Sequence, residues 1–146
     1  MEIITIKNDT DFSSQFERSQ FIDFMHESLG EFRDSKEDIN NAVEYAFSRE
    51  SGKGGFVLLG TDNGKIVSGL VMNNTGHVGY IPENILVYVA TSKNERGKGL
   101  GKKIIEKAIE TAGTDVALHV EYDNPAKKLY ERMGFTSKYA EMRYKK

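Results

Sequence analysis

An α/β fold, in the form of a mixed and mostly antiparallel sheet with helices on both faces, is predicted by three observations on this 146-residue chain. Strand-like apolar runs and amphipathic stretches follow one another in the order β-α-α-β-β-β-α-β-α-β. Two of the runs flank Thr61-Asp62-Asn63-Gly64-Lys65, a hairpin signal. Between a later apolar run and a helix lies Arg96-Gly97-Lys98-Gly99-Leu100-Gly101-Lys102-Lys103, which implies one parallel crossover through that helix. The length is that of one domain, residues 1–146, able to bury a substantial core without staples.

In order along the chain, Met1 to Ile6 reads as a first strand. Thr10 or Asp11 is the predicted cap of a helix running to about Leu29, anchored by Phe12, Phe16, Phe24 and Met25. Ser35 and Asp38 make a capping-box-like start for a second helix, on which Ile39, Ala42, Val43, Ala46 and Phe47 fall at helical spacing. Gly52-Lys53-Gly54-Gly55 breaks it and serves as a connector, since a strand and not a helix follows. The hairpin strands are 56–59 and 66–72, and residues 73–83 form a loop containing His77, Tyr80 and Pro82. A strand over Ile85 to Ala90 then leads into the glycine-cation run. The next helix carries Leu100, Ile104, Ile105, Ala108, Ile109 and Ala112 on one face and stops at Gly113. Val116 to Val120 is a further strand. Asn124 caps a short helix with Pro125 at its first position and Gly134 at its end. A last strand-like stretch runs to Tyr144.

Composition narrows the functional classes. The chain has no Cys, so it holds neither a disulfide framework nor a thiol nucleophile. His26, His77 and His119 lack metal-ligand spacing, and no metal site is expected. There is no N-terminal apolar signal and no run approaching a membrane span, which predicts a cytoplasmic protein without a membrane partner. Net charge is −2, too small a bias for a nucleic-acid partner. The charges are nevertheless uneven: residues 1–74 hold 13 acidic and 7 basic side chains, and residues 75–146 hold 9 and 13. That asymmetry suits a polyanionic ligand on the C-terminal half and a cationic one near the N-terminal half.

The glycine-cation run is an anion trap by construction, because glycines bring bare N–H groups against a ligand at the positive end of a helix. It is not a P-loop, since Gly101 is followed by Lys102-Lys103 and no Ser or Thr follows the lysine. Nor is it a dinucleotide fingerprint from Gly97, whose third glycine would fall on Lys102. What it matches is Arg-x-x-Gly-x-Gly at Arg96, Gly99 and Gly101 after the strand Ile85-Leu86-Val87-Tyr88-Val89-Ala90. This resembles motif A of the GNAT superfamily of N-acetyltransferases. Residues Leu118 to Phe135, with Asn124-Pro125, Tyr130 and Gly134-Phe135, resemble its motif B. Order and spacing agree over about residues 56–135. Asp123 stands where the family commonly has Asn, with Asn124 one residue later. Thr91 and Lys93 replace an aliphatic residue and a proline.

The resemblance implies a GNAT-like sheet in which two parallel strands, here 85–91 and 116–121, splay apart around the pantetheine arm of acetyl-CoA. It implies a CoA site made of the Val87 and Val89 backbone, Arg96, Gly97, Lys98, Gly99, Leu100, Gly101, Lys102, Asn124 and Tyr130. Tyr130 would donate a proton to the leaving thiolate, and Glu83, just before the motif A strand, is the candidate base, with Glu121 and water as alternatives. The acceptor is a small-molecule amine or the amine of a peptide or protein. A cationic amine is favoured by Glu27, Glu31, Asp34, Glu37 and Asp38 at the link between the first two helices, with Phe24, Phe32 and Tyr80 as apolar walls. The tail after Phe135 is short for the two strands many members have. That leaves a bent last strand or one completed by a second subunit in a homodimer. A non-catalytic CoA-binding or interaction module is the alternative function, and the presence of Tyr130 and of the whole loop argues against it.

Overall fold

The computed structural model describes residues 1–12 and 14–146. Five strands, β1 (Glu2–Ile6), β2 (Gly55–Asp62), β3 (Lys65–Asn74), β4 (Asn84–Thr91) and β5 (Val116–Leu118), form one sheet in the order of the chain. The first three pairings are antiparallel and β4–β5 is parallel. The helices are α1 (Arg18–Leu29), α2 (Lys36–Phe47), α3 (Leu100–Ala112) and α4 (Ala126–Arg132). The mixed sheet and its single parallel crossover through α3 are as predicted.

Period-2 alternation divides the strands between two cores. Val57, Leu59 and Val71 face α1 and α2, where they meet Phe21, Met25, Ile39 and Val43. Phe56, Leu58, Leu70 and Met72 face α3 and α4, where they meet Ile104, Ile105, Ala108 and Tyr130. Gly69 lets α1 lie close against the sheet, for a Cβ there would come within 2.6 Å of Met25 Sδ and 2.7 Å of Phe21 Cε2. The hairpin turns through Asn63 and Gly64, both at positive φ (49° and 74°), between the paired residues Asp62 and Lys65. That geometry is what an Asn-Gly sequence supplies.

Three expectations need correction. The first helix does not begin near Asp11. Asp9–Asp11 is a 3-10 turn held by Asn8 Oδ1 accepting from Thr10 N at 2.9 Å and Asp11 Oδ2 accepting from Lys7 N at 2.8 Å. Such side-chain bonds to the backbone compete with helix. The chain then returns so that Arg18 meets Asp9 with two contacts of 2.7 and 2.8 Å, and also bonds Glu44. Its guanidinium lies 5.2 Å from the Phe47 ring centre. Phe12 and Phe16 reach the α1–α2 core from outside the helix. Ser13, within the predicted helix, lies outside the described residues. Second, β5 ends at Leu118 and not at Val120. Third, the strand expected to end at Tyr144 is absent, since residues 135–146 carry no regular structure. A strand exists only through its ladder, and this segment meets no partner strand in its own chain.

Candidate active site

The site is built where β4 and β5 part. Their pairing covers Asn84, Ile85 and Leu86 against Val116, Ala117 and Leu118, and stops there. Asn84 pins the closed end: its amide nitrogen Nδ2 donates to Thr114 Oγ1 at 2.7 Å and to Asp115 O at 3.2 Å. Beyond Leu86 the β3–β4 register shifts, with Val71 opposite Tyr88 and Met72 opposite Leu86. Val87 is therefore the extra residue of a bulge, and alternation breaks there. Val87 and Tyr88 both pack toward α1 and α2, while Leu86 and Val89 pack toward α3 and α4. The fork expected between strands 85–91 and 116–121 thus opens at Val87, one residue after the pairing ends.

The open end of β4 leads into the glycine-cation loop. Gly97 and Gly99 sit at φ 81° and 78°, and among the described residues no atom beyond the immediate chain neighbours lies within 4 Å of where a Cβ at either would stand. Gly99 is the N-cap of α3, in left-handed conformation and without a side-chain cap. The N–H of Lys103 bonds the carbonyl of Gly99 at 3.1 Å, so the amides of the turn before it face outward unclaimed by the helix. The aligned peptides of this 13-residue helix put partial positive charge at this end. Gly101 marks where β4, α3 and α4 converge, since a Cβ there would stand 3.6 Å from Leu129 Cδ2 and 3.7 Å from Thr91 Oγ1.

The cations of the loop already have partners. Arg96 Nη2 donates to Ser28 O at 2.9 Å, near the C-terminal end of α1. Lys98 Nζ bonds Glu95 at 2.7 Å, and Lys102 lies 3.7 Å from Glu106. All three are exposed, and such pairs are weak enough to yield to a ligand. Arg96 nonetheless straps the loop to α1, a role that its place in the motif did not suggest.

Tyr130 enters from α4, next to Leu129, and is only 8% exposed. It belongs to the same cluster as Leu86 and Val89 at the fork, and its ring meets Phe135 edge-on at 5.8 Å. No described residue hydrogen-bonds its hydroxyl. Burial pushes its pKa up to about 12, because a phenolate would lose its hydration there. Asn124 caps α4, its Oδ1 accepting from Ala126 N at 2.9 Å, and Pro125 has helical dihedrals. Its amide oxygen is thereby committed to the fold.

Glu83 precedes the paired segment of β4, on the closed side of the fork, and its carbonyl accepts from Thr75 N at 2.9 Å. His77 Nδ1 and Tyr80 Oη are 2.9 Å apart in the exposed loop before β4. Sequence reading missed Tyr88, whose hydroxyl donates to Asp34 Oδ2 at 2.5 Å. Burial, then that bond, then the charges of Asp34 and Asp38 raise its pKa, so it stays a neutral donor. No local signal marks a contact between residues 54 apart. Among the described residues no group of three or more His, Cys, Asp or Glu is placed to hold a metal ion, and no helix is long and apolar enough to cross a membrane.

Comparison with known proteins shows the family and agrees with the fold. Residues 17–135 match the Acetyltransferase (GNAT) family, and the chain belongs to that family. No curated protein matches it. Among solved structures, aminoglycoside N-acetyltransferase AAC(6')-Iy in complex with CoA superposes with a TM-score of 0.72 at 12% identity, over 99% of this chain and 93% of that one. The NatC complex bound to Gag peptide and CoA gives 0.67 at 22%, over 93% and 86%. An integron cassette protein from V. cholerae gives 0.67 at 18%, over 100% and 94%. At these identities the likeness is one of fold.

Proposed function

We propose that the protein transfers an acetyl group from acetyl-CoA to a primary amine, by direct attack with both substrates bound. The observation that carries this reading is the conjunction of an uncapped α3 N-terminus, a fork open from Val87, and a buried tyrosine whose hydroxyl no described residue bonds, with α3 and the tyrosine on the same face of the sheet. The outward amides of residues 97–102 and the cations of Arg96, Lys98 and Lys102 would take the pyrophosphate. The backbone of Val87 and Val89 would pair with the pantetheine amides.

When the amine nitrogen bonds to the acetyl carbon, the carbon–sulfur bond breaks and the electron pair leaves on sulfur. Tyr130, fully protonated at neutral pH, gives that sulfur its proton and recovers one from solvent. The amine must lose a proton as it attacks. With a pKa near ~10.4, freeing it at neutral pH costs on the order of 4–5 kcal/mol. Glu83 is the carboxylate proposed to accept it, and since it precedes the paired segment, on the closed side of the fork, it would have to act through water.

The acceptor we favour is a small cationic amine. Glu27, Glu31, Asp34, Glu37 and Asp38 are exposed around the α1–α2 link, and Tyr88 reaches from β4 beside the fork to hold Asp34. The structural relatives include enzymes named for aminoglycosides and one for ribosomal-protein alanine, which keeps both small and peptide amines in the screen. The decisive experiment incubates the protein with acetyl-CoA and a panel of amines and follows release of free thiol. Amine-dependent release supports the reading. CoA binding without release for any amine would leave a non-catalytic module.

A further inference from the structure

We propose that the chain carries a second ligand site, a cavity at the C-terminal end of α2 that takes a small, multiply charged anion bearing phosphate or carboxylate groups. A convergence of cations in the acid-rich part of the chain leads to it. Residues 1–74 hold only 7 basic side chains. Three of these, Lys7, Arg49 and Lys53, line one cavity of about 510 Å³, a volume within the range of small-molecule sites. Lys7 follows β1, Arg49 follows α2, and Lys53 lies in the connector Gly52-Lys53-Gly54-Gly55. That connector is the second glycine-cation run of the chain, and the proposed acetyl transfer makes no use of it. Gly55 sits at φ 142°, and a Cβ there would stand 2.0 Å from Met72 O, so only glycine lets the connector lie this close to β3. The closeness brings Lys53 beside Asn74, whose Nδ2 donates to Lys53 O at 3.3 Å.

Two charges oppose an anion at this place. Glu50 pairs with Lys53 at 2.8 Å, and the end of α2 carries roughly half a negative charge. Against three cations they leave a surplus of about +1.5. Cations present only to complement the helix end would bond its last carbonyls. Neither the Lys7 ammonium nor the Arg49 guanidinium bonds a carbonyl or a carboxylate among the described residues, and both residues are exposed. Neutral donors complete the wall. Ser48 Oγ accepts from Glu50 N at 3.2 Å, which leaves its O–H to give, and Asn74 has a second amide proton. Cations flanked by such donors match the oxygens of phosphate and carboxylate groups. Asn74 pairs with Asn84 at the start of β4, whereas the loop of the candidate active site leaves the far end of that eight-residue strand. At about 3.3 Å per residue the two places lie roughly 25 Å apart, so both can be occupied at once.

The test is an amide NMR titration of the full chain with pyrophosphate, citrate and acetate in turn. Pyrophosphate or citrate should shift the amides of residues 48–55 and Asn74 saturably, and the tighter of the two assigns the charged group of the ligand. Acetate, with a single charge, should bind at least about tenfold more weakly. Lys7→Gln with Arg49→Gln should weaken the multiply charged probe by about tenfold or more, as loss of two charge-assisted bonds does, and Lys7→Arg with Arg49→Lys should retain binding. No saturable shift at these amides, acetate as tight as the other probes, or an affinity unmoved by the two glutamines would each overturn the proposal. The amides of residues 97–103 report the candidate active site in the same spectra, so the failure of either site is read apart from that of the other.

Discussion

Tyr130 shows how one residue's surroundings decide its chemistry. Its ring is buried among the apolar residues of the α3 side, and its hydroxyl lacks a described partner, so the fold holds a neutral donor at the fork. Tyr130→Phe should preserve the fold and CoA affinity and lower turnover by about 10²–10⁴-fold, as loss of a positioned acid does; calorimetry and thiol release separate the two effects. The same environment fixes a pH profile. The rate should climb as the amine loses its proton toward ~10.4, with no falling limb from Tyr130 below about 12. Its folded pKa is raised, so the stability it contributes is whole below ~10 and is lost as pH rises toward about 12. Gly99 is set by conformation. At φ 78° a branched side chain is strained by roughly 1–2 kcal/mol, and the open space that Gly99 leaves is where the pyrophosphate would come. Gly99→Val should fold and bind CoA weakly, and unchanged affinity by calorimetry would remove the ligand from this loop.

At the scale of elements, α1 is held to the site from two sides. Gly69 allows its close seat on the sheet, and Arg96 of the loop bonds Ser28 near its C-terminal end. Gly69→Ala would press a methyl group against Phe21 and Met25. Overpacking of this kind typically costs about 1–3 kcal/mol, so a lower denaturation midpoint is expected. Glu83 lies at an element boundary, on the closed side of the fork. Glu83→Gln should lower kcat/KM at neutral pH with little effect near the amine's own pKa, where deprotonation needs no help. Equal rates for both proteins across that range would hand deprotonation to water.

Across the whole molecule, the acidic surplus of residues 1–74 and the basic surplus of residues 75–146 would serve as two sides of the proposed site. The two acid-rich helices cover one face of the sheet, and the loop and α3 rise from the other. A cationic acceptor would be drawn to the first and an anionic co-substrate to the second. Acetylation of polyamines and aminoglycosides should exceed that of acidic amino acids, and the advantage should shrink as salt shortens the screening length below ~10 Å. Rates compared at low and moderate salt decide it, and a preference for acidic or neutral acceptors without salt dependence would reject the acidic face as the acceptor's wall.

The parts legible along the chain are those whose information is local. Asn63-Gly64 specified its hairpin, Ser35 started α2 by accepting from Asp38 N at 3.1 Å, Gly99 and Gly113 bounded α3, and Asn124-Pro125 opened α4. The glycine-cation loop was legible for the same reason, since its chemistry is backbone conformation and a helix end within eight residues. Tertiary structure alone decided the bulge at Val87, the point where β4 and β5 part, the true start of α1, and the bonds Tyr88–Asp34 and Arg96–Ser28 across 54 and 68 residues. These depend on which strands meet and in what register, a property of the assembled sheet that no short window encodes. The tail is the clearest instance: its alternation announces a strand, and only an edge to pair with can make it one.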